Sequence, residues 1–392
     1  MFAAPNRVYH RNVAHRRVAP NPALDGLRGV AIAAVVLFHF PVTRNYLPGG
    51  LFGVGLFFVL SGFLVTPILA EQFDRRGRVS LGEFYRRRAW RLLPALGAFL
   101  LVFVLADSLF GRNGWFASNP FGPPHQPGAP VPIGQALLGS GAALGYAYNF
   151  FLAHSVSMPS PLGHLWTLSV EGQFYAAWAI GAAFLLRRGP RVLAAVTCSL
   201  IALSAVAPFL AWDHGAAQNW IYFSTGPRVQ QLLAGALLGE MWSRGALRRV
   251  PARVLSGTAA AGTGAIAYLM LEVGNVPLKY LGAFTIVAAG GCALVACLVD
   301  ERSGKVARRL LGWRPLVWLG KRSYAVYLWH WPLAEWTNEL PYAIGVPLGI
   351  GCSLVAAELS WRIIELPAQR LSKKRASDKA SDKEEKVLAA VR

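Results

Sequence analysis

Long apolar blocks, at 92–106, 193–212 and 278–299 among others, decide more about this chain than any other feature. Wound as helix, about twenty such residues match the thickness of a bilayer core. Backbone polar groups in lipid must be satisfied within the segment, so helices are the expected form. The alternation over about ten residues that marks a membrane barrel is absent. Of the 392 residues 54% are hydrophobic and only 15% charged, with a mean hydropathy of +0.39. A soluble chain of this length needs a more polar exterior, because its outer face must meet water. The formal net charge is +20, from 39 Lys+Arg against 19 Asp+Glu. In a soluble protein that balance points to nucleic acid. Here the basic residues cluster between apolar blocks, as cytoplasmic loops do, so no nucleic-acid partner is expected.

These features predict an all-α, polytopic helical bundle in the cell membrane, with about ten spans and both termini cytoplasmic. The spans are expected at 24–42, 51–70, 86–110, 164–188, 193–212, 226–243, 254–273, 278–299, 323–340 and 343–366. Arg75, Arg76 and Arg78 close the second span, and Arg86, Arg87, Arg88 and Arg91 open the third. Arg187 and Arg188, then Arg244, Arg248, Arg249 and Arg253, and then Arg302, Lys305, Arg308, Arg309 and Arg314 fall on the same side under this count. The Gly- and Pro-rich stretch 111–132 is read as an outside loop, and 133–153 as a re-entrant or interfacial piece. Residues 1–22 form a basic cytoplasmic segment without a signal-peptide cleavage site. Residues 23–368 form the membrane domain, and the charged tail 369–392 is expected to be disordered and cytoplasmic. Cys198, Cys292, Cys297 and Cys352 all lie in apolar blocks without metal or redox spacing, which fits packing.

Ionisable groups at membrane depth are costly and mark function by default. Arg28 and His39 are eleven residues apart in LDGLRGVAIAAVVLFHF. That spacing is close to three helical turns, so both lie on one face, ~16 Å apart along the axis. A snorkelling arginine and an interfacial histidine would look the same. HLWTLSVEGQFYAAW carries His164 and Glu171, and a carboxylate there calls for a partner such as a histidine on a neighbouring helix. A capping or interface glutamate is the plainer alternative. Arg88 and Arg91 share a helical face, where they serve topology and also suit phosphate recognition. SYAVYLWHWP adds Tyr324, Tyr327 and His330, some of which an aromatic belt explains. The run Gly49-Gly50-x-x-Gly53-x-Gly55, followed by Ser61-Gly62, reads as close helix packing rather than a nucleotide loop. Residue chemistry alone also allows a transporter or flippase with a His/Glu/Arg pathway.

Taken together and in order, these segments resemble the acyltransferase-3 family of membrane O-acyltransferases over about residues 22–368. LDGLRGVAI with Arg28 and His39 is similar to the family's Arg/Lys-x10-His signature. FFVLSGFL, FYRRRAWRLLP, HLWTLSVEGQFY and SYAVYLWHWP resemble four further motifs. Gly172 departs from the pattern, standing where a second glutamate is common. The resemblance is to the stand-alone form, similar to macrolide or exopolysaccharide acylases. It implies transfer of acetyl or another short acyl group from acyl-CoA to a hydroxyl of a sugar, glycan, lipid or macrolide. It also implies that Arg28, Arg88 and Arg91 hold the donor's phosphates and that His39, with Glu171, deprotonates the acceptor. His164, Tyr324 and His330 support the site. Acyl-CoA is a co-substrate here, with no bound cofactor and no metal expected.

Overall fold

The computed structural model describes residues 20–110, 131–213, 218–272, 281–338 and 340–375. Among them there is no strand. The N-terminal segment before residue 20, the expected outside loop except residues 131–132, and the tail beyond residue 375 lie outside the described residues. The chain opens with α1 (Pro22–His39), α2 (Pro41–Tyr46), α3 (Gly53–Arg76) and α4 (Leu81–Phe110). Two short helices follow, α5 (Ile133–Leu144) and α6 (Tyr148–Ala153), then α7 (Trp166–Arg188) and α8 (Pro190–Asp213). Next come α9 (Gln218–Phe223), α10 (Thr225–Ser243), α11 (Ala252–Glu272) and α12 (Ala283–Val299). The last four are α13 (Lys305–Leu311), α14 (Arg314–Lys321), α15 (Ser323–Thr337) and α16 (Tyr342–Ser360).

Each of the ten segments expected to span overlaps one of these helices, although the first, 24–42, is broken at Phe40 between α1 and α2, and the segment 278–299 begins outside the described residues. Among the described residues, six stretches are long and apolar enough to cross a membrane: Pro22–His39, Gly50–Arg76, Leu81–Leu109, Pro190–Asp213, Ala252–Glu272 and Tyr342–Arg375. The other four are α7, α10, α12 and α15. At 17 and 15 residues, α12 and α15 are short, while α7 and α10 are longer but more polar. The polarity has a structural reason. Glu171 on α7, Arg228 on α10 and His330 on α15 point into the bundle, where intramembrane polar groups are tolerated. The exterior is apolar instead: Leu101, Leu105, Leu203, Phe209, Ile344 and Val355 are all exposed. That inverts the water-soluble pattern and fits lipid contact. The segment 133–153 breaks into α5 and α6 at Tyr146, whose φ is 54°. At ~1.5 Å per residue, α5 alone is too short to cross.

Small residues set the helix spacing, as the glycine run predicts. Between α3 and α10, a Cβ on Gly62 would lie 1.9 Å from the Leu232 carbonyl oxygen, so only glycine permits that approach. Between α1 and α14, a Cβ on Gly320 would meet the Asp25 carbonyl at 1.7 Å. This second approach fixes the turn of α1 that carries Arg28. Nothing in α1 breaks its ladder between Arg28 and His39, so the two groups are held apart by a rigid rod.

Candidate active site

At the far end of α1, three histidines from three elements converge. His39 ends α1, His330 is fully buried on α15, and His164 lies on the 3-10 segment Ser160–Leu165 that leads into α7. His330 Nδ1 lies 2.7 Å from the Tyr327 carbonyl oxygen and 3.2 Å from that of Val326. Carbonyl oxygens only accept, so Nδ1 carries the hydrogen and neutral His330 has a bare Nε2. That Nε2 lies 3.0 Å from His39 Nδ1, which therefore donates. His39 is left with its lone pair on Nε2, the form a general base requires. Trp331 packs edge-on against the His39 ring at 4.2 Å and donates from Nε1 to the Ser160 carbonyl at 2.8 Å. Ser160 in turn donates to Glu335, one helical turn from Trp331. His164 is buried against His330 and Tyr327, with ring centroids 5.4 and 5.2 Å away, and neither of its ring nitrogens makes a hydrogen bond.

At the near end of α1 the arginines gather. Arg28, Arg88, Arg91, Glu171 and Tyr175 form one electrostatic cluster. Glu171 accepts from the hydroxyls of Ser61 and Tyr175. Arg88 donates to the Tyr175 hydroxyl at 3.2 Å and lies over its ring at 4.3 Å. A carboxylate in this place offsets the mutual repulsion of three guanidiniums.

The structure therefore corrects the expected His39–Glu171 pair. The carboxylate belongs to the arginine end, and the ring nitrogen of His39 meets His330 instead. The physical reason is register. Glu171 stands almost two turns beyond His164 on a helix that runs toward the arginines, so the two residues of one motif serve opposite ends.

Two cavities open on these two ends. The larger, about 510 Å³, is lined by Arg28, Arg91, Tyr324 and Glu365 among others. The smaller, about 150 Å³, is lined by His39, His164, Tyr327 and Trp331, with aromatic walls from Trp166 and Tyr222. Arg88 does not line the larger cavity, so the two arginines of the Arg-x-x-Arg pair have separate placements. Tyr324 lines it and donates to the Leu92 carbonyl at 2.9 Å.

Several participants escape sequence reasoning. Tyr175 is one turn from Glu171, a spacing that could have flagged it. Ser61 sits inside a run legible only as packing. Glu365 ends a π-helical turn, Trp361–Glu365, with its Oε1 buried and unpartnered. Such turns cluster at functional sites, but no residue pattern announces them.

A family model described as an acyltransferase domain matches residues 21–357. The peptidoglycan O-acetyltransferase OatA of Listeria monocytogenes is 31% identical over 369 residues, covering 89% of this chain and 56% of its own length. The O-acetyltransferase OatA of Staphylococcus aureus (strain NCTC 8325 / PS 47) is 31% identical over 371 residues, covering 89% of this chain and 57% of its own length. The chain thus spans little more than half the length of these relatives. No solved structure matches it.

Proposed function

The chain belongs to the acyltransferase-3 family, and from that premise we propose that this multi-pass membrane O-acyltransferase moves acetyl or another short acyl group from acyl-CoA to a glycan hydroxyl. One observation carries the reading: a basic cavity and a histidine cavity open at opposite ends of the rod that holds Arg28 and His39. The relatives' activities, O-acetylation and in one case of peptidoglycan, support the acetyl group and the glycan acceptor.

In this reading the six long apolar stretches and α7, α10, α12 and α15 all cross the membrane, and the arginine end faces the cytoplasm. The donor's phosphates rest on Arg28 and Arg91, where planar guanidiniums suit them. Arg88, tied to Tyr175 and Glu171, holds the cluster's shape and adds to its field. The acyl arm runs along α1 toward His39, and the acceptor enters the smaller cavity. His39 Nε2 takes the proton of the acceptor hydroxyl, whose oxygen attacks the thioester carbonyl. The new C–O bond forms, the C–S bond breaks, and the leaving thiolate receives the proton from the imidazolium. His330 accepts from His39 Nδ1 throughout, which fixes the ring and stabilises its charged form. His164 lines the smaller cavity and offers a ring nitrogen to the bound acceptor. A transport reading loses its ground, because the intramembrane charges that motivated it are those of the family motifs.

The test uses purified full-length protein in lipid nanodiscs with radiolabelled acetyl-CoA and N-acetylglucosamine oligomers. Label recovered as a sugar ester supports the reading. Intact donor beside unlabelled sugar, after prolonged incubation at saturating donor, ends it.

A further inference from the structure

Arg228 is a buried charge without a hydrogen-bond partner among the described residues. It is 0% exposed, and none of its three guanidinium nitrogens has a hydrogen-bond partner. Among the described residues, no carboxylate forms an ion pair with it. Its guanidinium carbon lies over four aromatic rings instead, at 3.9 Å from Phe284, 5.2 Å from Trp166, 5.4 Å from Tyr222 and 5.7 Å from Phe58. The faces of those rings attract a cation but are no substitute for the oxygen acceptors that its five N–H groups would take. Three residues on, the Gln231 side-chain oxygen is also buried without a donor. Arg228 occupies the first turn of α10, so the helix dipole adds to the positive field. A bare cation at this depth is costly and calls for a function.

Its position supplies one. Trp166 and Tyr222, two of the rings that cover Arg228, are also walls of the smaller cavity, which His39 and His164 line. That cavity, about 150 Å³, is small, and the flat apolar faces of Trp166 and Tyr222 suit stacking against a sugar ring. Arg228 therefore stands behind the same cavity into which His39 presents its base. We propose that Arg228 selects an acidic sugar, holding a carboxylate or phosphate substituent at the wall formed by Trp166 and Tyr222 while a hydroxyl of the same ring meets His39. The planar fork of arginine suits both anions. Rotation of the Tyr222 or Trp166 ring opens the direct hydrogen bonds, and even before that the field of an unpaired charge in a poorly screened site favours an anion. This inference rests on the glycan-acceptor reading and goes beyond it by naming the charge of the acceptor.

The experiment measures binding and transfer separately, on the full chain in nanodiscs. Isothermal titration compares N-acetylmuramic acid and N-acetylglucosamine 1-phosphate with neutral N-acetylglucosamine. At least one acidic sugar is expected to bind about 10- to 100-fold more tightly, the range of a charge-assisted contact. Which one does so separates carboxylate from phosphate. Arg228→Met is expected to erase that preference while affinity for the neutral sugar stays within about threefold. Arg228→Lys keeps the charge without the fork and retains only part of it. Equal or undetectable affinities for the three sugars in the native protein overturn the inference, as does a preference that survives Arg228→Met. Should Arg228→Met fail to fold, an unchanged preference in Arg228→Lys overturns it. Acidic preference without acetyl transfer to any sugar counts against the acyl-transfer reading alone, and transfer without the preference counts against this site alone.

Discussion

His330 stands where the sequence predicts a carboxylate: its bare Nε2 accepts from His39 Nδ1 at 3.0 Å, and its own Nδ1–H is spent on the Tyr327 carbonyl. An imidazole in this position orients the base as a carboxylate would, but it is neutral and sits in a fully buried setting. It fixes the tautomer through a chain that ends on backbone, so the order of donors cannot reverse without leaving a carbonyl unserved.

The relation predicts a ranking of variants. His39→Ala is expected to lower turnover by ~10²–10⁴ while acyl-CoA still binds, because the proposed phosphate site lies three turns away. His330→Gln places an amide oxygen where Nε2 now accepts and is expected to keep part of the rate, whereas His330→Ala loses the tautomer and most of the rate. Transfer kinetics beside a melting curve decide it. Full activity in His330→Ala would remove His330 from the mechanism.

Glu171 separates the sequence reading from the structural one. If it were the partner of His39, Glu171→Gln would cost the rate heavily. In the observed arrangement the amide oxygen of glutamine still accepts from Ser61 and Tyr175. The change is then expected to leave kcat within about tenfold and to act mainly on the donor's KM, through the altered field around Arg28, Arg88 and Arg91. A kcat loss of ~10³ at unchanged donor KM would restore the catalytic role.

Arg88 and Arg91 also part company. Arg91 lines the larger cavity, whereas Arg88 is engaged with Tyr175. Arg91→Ala is expected to weaken acetyl-CoA binding by about 10- to 100-fold, equivalent to ~1.5–3 kcal/mol for a charge-assisted contact. Arg88→Ala is expected to cost less in affinity and more in thermal stability, since it strips the Tyr175–Glu171–Ser61 chain of its cation. Titration of each variant with acetyl-CoA and a melt would show whether the order is reversed.

Much of this was legible because it depends on period alone. Helix positions follow from apolar blocks. The shared face of Arg28 and His39 follows from eleven residues of unbroken helix, and the close approach at Gly62 follows from small residues in a span. What could not be read is which helices are neighbours. Glu171 and His164 belong to one motif, yet serve opposite ends of the bundle. Arg228 looks like any basic residue at the start of a span, and only the packing of α3, α7, α9 and α12 around it shows that it has no hydrogen-bond partner among the described residues. Three of the four helices that apolarity alone selects least well, α7, α10 and α15, carry Glu171, Arg228 and His330.

Glycine 62 offers a test of the scaffold apart from the chemistry. A methyl group there would meet the Leu232 carbonyl at 1.9 Å, and backbone cannot move aside as a side chain tip can. Gly62→Ala is expected to force α3 and α10 apart, at a cost of about 1–3 kcal/mol, and to loosen the Ser61–Glu171 contact one residue away. A lowered melting temperature together with a raised donor KM is the expected pair of effects. An unchanged melt would mean that the two helices do not pack as described.

The two-sided site makes a topological prediction that labelling can decide. Lys373 is exposed on the rim of the larger cavity, and Asn219 lines the smaller one. A single cysteine at each place, in a background with Cys198, Cys292, Cys297 and Cys352 replaced, reports its side through a membrane-impermeant maleimide. By the positive-inside rule, the basic residues around Arg28 and Arg91 predict a cytoplasmic larger cavity. Asn219→Cys is therefore expected to react in intact cells, and Lys373→Cys only after permeabilisation. Saturating acetyl-CoA, added to permeabilised cells, is expected to slow labelling at Lys373→Cys and leave Asn219→Cys unaffected, because the proposed phosphate site lies at the arginine end. Reaction of both cysteines from the same side would abolish the through-membrane arrangement. Donor protection at Asn219→Cys alone would place the phosphates at the histidine end and reverse the assignment of the two cavities.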